Sequence, residues 1–104
     1  MTGLANTTLQ VWVVSSLLFF AGLATVLLRR QLLAMLLGLE LMISAANISL
    51  VYHAGLFSDS QALAAVLLVI AIAAAEAVVG LTLIVDVYES GLPADASELR
   101  ELRG

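Results

Sequence analysis

Apolar residues in this chain are gathered into three long blocks rather than spaced at the period of a half-buried helix or strand. The first covers about residues 9–28 and ends abruptly at Arg29-Arg30. At about 1.5 Å of rise per residue such a block measures roughly 30 Å as a helix, which is one hydrocarbon thickness of a bilayer. A second block, about residues 31–53, is interrupted only by Glu40, Asn47 and small residues. A third runs over about residues 61–85 with Glu76 inside it. Each predicts a membrane-spanning helix. Residues 54–60 include Gly55, Ser58, Asp59 and Ser60, a turn composition, while Arg29-Arg30 leaves room for only a very tight link and so for an antiparallel hairpin. Gly91 and Pro93 close the third helix, and the tail from about residue 89 fits a short surface helix or a disordered end. The expected fold is all-α: three transmembrane helices in one membrane domain over residues 1–104, packed within a larger membrane assembly.

Two positions in these blocks are costly. A carboxylate at the centre of a spanning helix costs about 2.5 to 3.5 kcal/mol on insertion scales. Glu40 lies ten residues after Arg30 and Glu76 ten residues before Asp86. Each is therefore roughly 15 Å from the same boundary, near the midplane. Because the second and third helices run antiparallel, this common depth requires placement from opposite ends. A carboxyl group in such surroundings pays to ionise, which is the property a proton relay uses. The plainer alternative is a pair of neutral carboxyls that hydrogen-bond helices together. Ser44 and Asn47 follow Glu40 at i+4 and i+7, within about 40° of it around the helix, and give the second helix a polar stripe suited to interhelical hydrogen bonds or to a hydrated path.

Small residues mark faces for close packing. The third helix offers the pairs Ala71/Ala75 and Ala73/Ala77 with Gly80, the first Ser15, Gly22 and Thr25, and the second Ala34 and Gly38. These are more packing faces than three helices satisfy among themselves, so partner chains are expected.

Composition agrees with membrane residence: 62% of the 104 residues are hydrophobic and 12% charged, with a mean hydropathy of +1.12. Five of the eight acids, Asp86, Glu89, Asp95, Glu98 and Glu101, stand at or beyond the end of the third block, so the net charge of −4 describes one end of the molecule. No basic surface for nucleic acid is present. The four basic residues are Arg29, Arg30, Arg100 and Arg103, and the positive-inside rule puts both arginine-bearing segments in the cytoplasm, N-out and C-in. Arg29 and Arg30 at that mouth also bias the potential that protons meet. Trp12, Tyr52 and His53 read as anchors at the opposite interface and Asp59 as solvated loop. Without cysteine and with a single histidine, disulfides, iron–sulfur ligation and a metal or haem site have no ligands here. The N-terminus has no basic stretch and its apolar block ends at arginines, so no removable signal peptide is expected.

The Arg-Arg link, the segment Gly38-Leu39-Glu40-Leu41-Met42 followed by Asn47, the stretch Ala73-Ala74-Ala75-Glu76-Ala77 leading to Gly80, and the closing Leu102-Arg103-Gly104 resemble the subunit K family of respiratory complex I, the proton-pumping NADH-quinone oxidoreductase. The resemblance covers essentially the whole chain. It implies that Glu40 and Glu76 take part in proton translocation and that Arg29 and Arg30 match the family's cytoplasmic arginine pair. It also implies a multi-pass protein of the bacterial plasma membrane that contacts lipid, an adjacent small subunit and antiporter-like subunits. Flavin, iron–sulfur clusters and quinone would belong to other subunits. The acidic residues 86–101 depart from the more basic flank that the family would suggest. Two other classes remain open at this point: the small subunit of a multisubunit cation/proton antiporter, a branch that tends to lack the glutamate pair, and an assembly scaffold.

Overall fold

A computed structural model describes residues 2–101, with side chains through Glu98. Its helices are α1 (Thr2–Leu28), α2 (Leu32–Leu56), α3 (Ser60–Glu89) and the short α4 (Ala96–Glu101). The first three are long and apolar enough to cross a membrane. Arg103, counted above among the basic residues, lies outside the described residues.

Helix α1 begins earlier than the apolar block, at Thr2 rather than near residue 9. Two threonines in the added turns return their hydroxyls to the helix: Thr7 donates to the Gly3 carbonyl and Thr8 to the Leu4 carbonyl, each at 2.9 Å. A polar residue that satisfies itself in this way need not end a helix. The second connection is also shorter than the expected loop. Helix α2 continues through Leu56, leaving residues 57–59 between α2 and α3. The amide of Ser58 donates to the Gly55 carbonyl and that of Asp59 to the Ala54 carbonyl, the pair of reversed bonds that ends a helix on a left-handed residue. That residue is Ser58, at φ 52°. Asp59 is then the N-cap of α3, accepting from the Ala62 amide at 3.0 Å. It is a structural cap and not only solvated loop.

The same device closes α3, here with the expected glycine. Gly91 sits at φ 77°, its amide donates to the Tyr88 carbonyl, and the Leu92 amide donates to the Val87 carbonyl. Pro93 follows, where it cannot continue a helix.

Helix α2 is central: α1 and α3 each pack along it and make little contact with one another. The α1–α2 contact is built on glycine. A Cβ at Gly22 would lie 2.5 Å from the Gly38 carbonyl oxygen, and one at Gly38 would lie 2.8 Å from the Gly22 oxygen. The two backbones therefore touch at this crossing. Toward the other end the pair is tied by Thr8 Oγ1 and Tyr52 Oη, 2.7 Å apart. Since the Thr8 proton is already given to Leu4, Tyr52 is the donor. Between the two, Ser15 is buried, and its hydroxyl is the buried side-chain polar atom without a partner among the described residues. Against α3, α2 sets Leu36 on Gly80, where an added Cβ would meet the leucine at 3.1 Å.

Candidate functional site

Leu36 and Gly80 set the register in which α2 and α3 lie side by side. Moving four residues along each helix, up α2 and back along α3 as antiparallel chains require, leads from that contact to Glu40 and Glu76. The two carboxyl-bearing residues are thus level with one another. The hairpin at residues 57–59 joins the two helices in the same register at the far end.

Level does not mean enclosed. Glu40 is half-buried and Glu76 is exposed on the surface of the chain. Among the described residues neither accepts a hydrogen bond nor forms an ion pair. The third helix presents two rows of small residues, and only one is covered. Ala73 and Ala77 continue the row of Gly80 and are half-buried, whereas Ala71 and Ala75, on the far side of the helix, are exposed; Glu76, one turn from Gly80, is exposed at the edge of the covered row. In a bilayer a carboxyl placed there must find its partner on another chain or in a water-filled space.

Ser44 and Asn47 lie where the polar stripe predicts, one turn and two turns beyond Glu40 on α2. They line an open groove with Ile48, Val51 and Tyr52, walled by Val11 of α1 and Ile70 of α3. Ser44 is exposed and Asn47 half-buried, so the stripe opens outward and is not sealed between helices of this chain. Arg29 and Arg30 are both exposed in the link between α1 and α2, beside the end of α3 and remote from the aromatic end of the molecule. At that far end His53 packs among Tyr52, Trp12 and Phe57, with ring centroids 5.3, 5.4 and 6.5 Å away, edge-on to Tyr52, tilted to Trp12 and stacked on Phe57. Its Nδ1 lies 2.7 Å from the Ser49 carbonyl, which makes Nδ1–H the donor. Among the described residues no group of three or more His, Cys, Asp or Glu side chains is placed to hold a metal ion.

One arrangement is absent from the expectations. The tail beyond Pro93 turns back on the arginine link: the Leu32 amide donates to the Ala94 carbonyl at 3.0 Å, and the Ala96 amide donates to the Arg30 carbonyl at 2.9 Å. Gln31 and Asp95 form the antiparallel bridge between these bonds. Asp95 caps α4, accepting from the amide and hydroxyl of Ser97 at 2.8 and 2.5 Å. These bonds, with help from the nearby Arg30 charge, hold the Asp95 carboxyl below its ordinary value of 3.8. The run Asp95-Ala96-Ser97-Glu98 carries the acidic N-cap signature that signals such a helix start.

Comparison with known proteins identifies the family of the chain. Residues 10–104 match the family model described as NADH-ubiquinone/plastoquinone oxidoreductase chain 4L. The chain belongs to this family. Among similar chain 4L relatives is NADH-quinone oxidoreductase subunit 11 of Thermus thermophilus, 46% identical over 91 residues that cover 86% of this chain and 94% of the relative. NADH-quinone oxidoreductase subunit K of Deinococcus radiodurans is 39% identical over 90 residues, covering 86% and 87%. A subunit K from Roseiflexus castenholzii is also 39% identical, covering 86% and 90%. The chain 4L match takes in the first span from residue 10, the second and third spans, the arginine link, both glutamates and the tail.

Proposed function

We propose that Glu40 and Glu76 pass protons along the membrane interior of an NADH-quinone oxidoreductase, of which this chain is by family a subunit. The observation that carries the proposal is the level placement of the two carboxyl groups on adjacent antiparallel helices, set by Leu36 on Gly80. Two carboxyl groups at one depth on neighbouring helices act on one another through their charges, which is the coupling a relay uses. Quinone reduction elsewhere in the complex would then act by altering the potential at this pair. Ser44 and Asn47 extend the polar surface from Glu40 toward the groove. Arg29 and Arg30 mark the cytoplasmic entrance, which makes the arginine end the inner face and gives an N-out, C-in chain in a bacterial plasma membrane.

On this reading Glu76 faces a neighbouring membrane subunit. Flavin, iron–sulfur clusters and quinone are held by other chains, consistent with the lack of cysteine here.

The test is the pair of isosteric substitutions Glu40→Gln and Glu76→Gln in the assembled enzyme, with quinone reduction and proton uptake into vesicles measured together. Each removes titration while keeping shape. Expected is a fall in protons moved per electron with assembly retained. Full coupled pumping in both variants would sink the proposal.

A further inference from the structure

Helix α2 starts without the help a helix start normally receives. Its N-cap, Gln31, is extended at φ −70° and ψ 135° and makes no side-chain capping bond. The first amides of a helix have no partner within it and need one from outside. Here the Leu32 amide finds it 62 residues further along the chain, at the Ala94 carbonyl. The exchange is reciprocal, since the Arg30 carbonyl of the same link receives the Ala96 amide. Between these two bonds stands the Gln31–Asp95 bridge. What delivers the tail to this place is the turn at the end of α3, with Gly91 in the left-handed region and Pro93 behind it. What holds it there is the cap by which Asp95 fixes Ser97 and starts α4.

The consequence concerns α2 and α3 as a pair. One end of the pair is joined by the three residues 57–59. Toward the other end Leu36 rests on Gly80, and the tail adds main-chain bonds beyond that contact. Apolar helices in lipid have no hydrophobic drive to hold an axial position, and the small residues of α3 form a smooth face, so register must come from specific contacts. Each residue of slip moves a side chain by about 1.5 Å along the axis.

We propose that residues 92–96 are a strap that anchors the end of α3 on backbone groups of the arginine link and so fixes the level of Glu76 against Glu40. The strap recognises main-chain atoms, and its specificity lies in the reach of the tail rather than in side-chain chemistry. Asp95 is a positioning residue: it shapes the turn and lies near Arg30 without touching either glutamate. The structural part stands on its own, and its link to proton movement rests on the function proposed above.

The experiment uses the whole assembled complex. Ala96→Pro removes one strap donor, and position 96 is the first of α4, where proline is tolerated in a helix. Ala96→Ser keeps the amide and serves as the control. Two structural quantities are read. The first is hydrogen exchange of the Leu32 amide, expected to rise about fivefold when the adjoining bond is lost, in keeping with the net worth of one hydrogen bond. The second is disulfide formation between Leu36→Cys and Gly80→Cys, detected by mass spectrometry of this subunit. The chain has no cysteine of its own, so the yield reports the α2–α3 register, and it is expected to fall in Ala96→Pro and not in Ala96→Ser. Protons moved per electron are then compared in Ala96→Pro without the cysteines and are expected to fall while quinone reduction persists. Should Ala96→Pro not assemble, Asp95→Ala, which leaves both backbone bonds possible and loosens the turn, is read for the same quantities with a smaller change. Unaltered Leu32 exchange and cross-linking in the variant would overturn the strap. Altered exchange and cross-linking in an enzyme whose Glu40→Gln and Glu76→Gln forms pump normally would uphold the strap and remove the proton relay.

Discussion

At Gly22 and Gly38 the absence of a side chain is what lets α1 and α2 meet. Gly22→Ala puts a methyl group 2.5 Å from a carbonyl oxygen, and backbone cannot yield as a flexible side chain does. Overpacking of this kind costs about 1 to 3 kcal/mol. The expected outcome is lower abundance and a lower melting temperature of the assembled complex, checked by thermal release of this subunit. By contrast, Tyr52→Phe removes only the bond that Tyr52 gives to Thr8, and interhelical bonds in membranes average about 0.6 kcal/mol. The same assay should show little change. Both glycines could be singled out in the sequence as small residues on a packing face, but their mutual contact could not. Which of several small residues meet depends on the angle and rotation of two helices, and a linear pattern leaves both undetermined. For the same reason Glu40 and Glu76 were legible as intramembrane carboxyls at one depth, whereas their unequal exposure was not.

Among the elements, the connections carry most of what the apolar blocks concealed. Ser58 holds the left-handed position that ends α2, a conformation that costs a residue with a Cβ about 1 to 2 kcal/mol. Ser58→Gly should therefore tighten the hairpin, seen as slower amide exchange over residues 57–63. Asp59→Ala removes the bond to the Ala62 amide and should do the opposite, costing about 1 kcal/mol at the start of α3. Turn residues announced this loop, but its length was overestimated, because Ala54, Gly55 and Leu56 are compatible with helix once the two reversed bonds close on Ser58. Asp95 gives a pH dependence. Its folded carboxyl titrates below the ordinary 3.8, so the stability it adds to the start of α4 is present above 3.8 and lost as pH falls through the lowered folded value. Exchange of the Ala96 amide, corrected for its intrinsic pH dependence, should lose protection below 3.8 and remain steady above it.

For the molecule as a whole, the dominant fact is how little of it is covered. Large apolar side chains such as Leu17, Phe20, Leu37, Leu67 and Val78 are exposed along all three spans, and among the described residues the well-buried apolar side chains are few: Ala45, Ala54, Val66 and Ile84. Three helices with α2 in the middle cannot enclose a core. Lipid and neighbouring subunits must supply the rest of the packing, so the chain extracted alone in detergent is expected to show faster amide exchange in α1 and α3 than it does in the complex.

By itself the sequence determined that there are three spans, that the arginines gather at two segments and that two carboxyls stand at one depth. Each of these follows from block length, rise per residue and the cost of charge in lipid, which are one-dimensional quantities. Tertiary structure alone decided that the glycines of α1 and α2 touch, that Leu36 on Gly80 sets the register, that Glu76 faces out of the chain, and that the tail returns to cap α2. These depend on helix rotation and on hydrogen bonds between main-chain atoms that every residue but proline possesses, and no side-chain pattern encodes which amide will find which carbonyl.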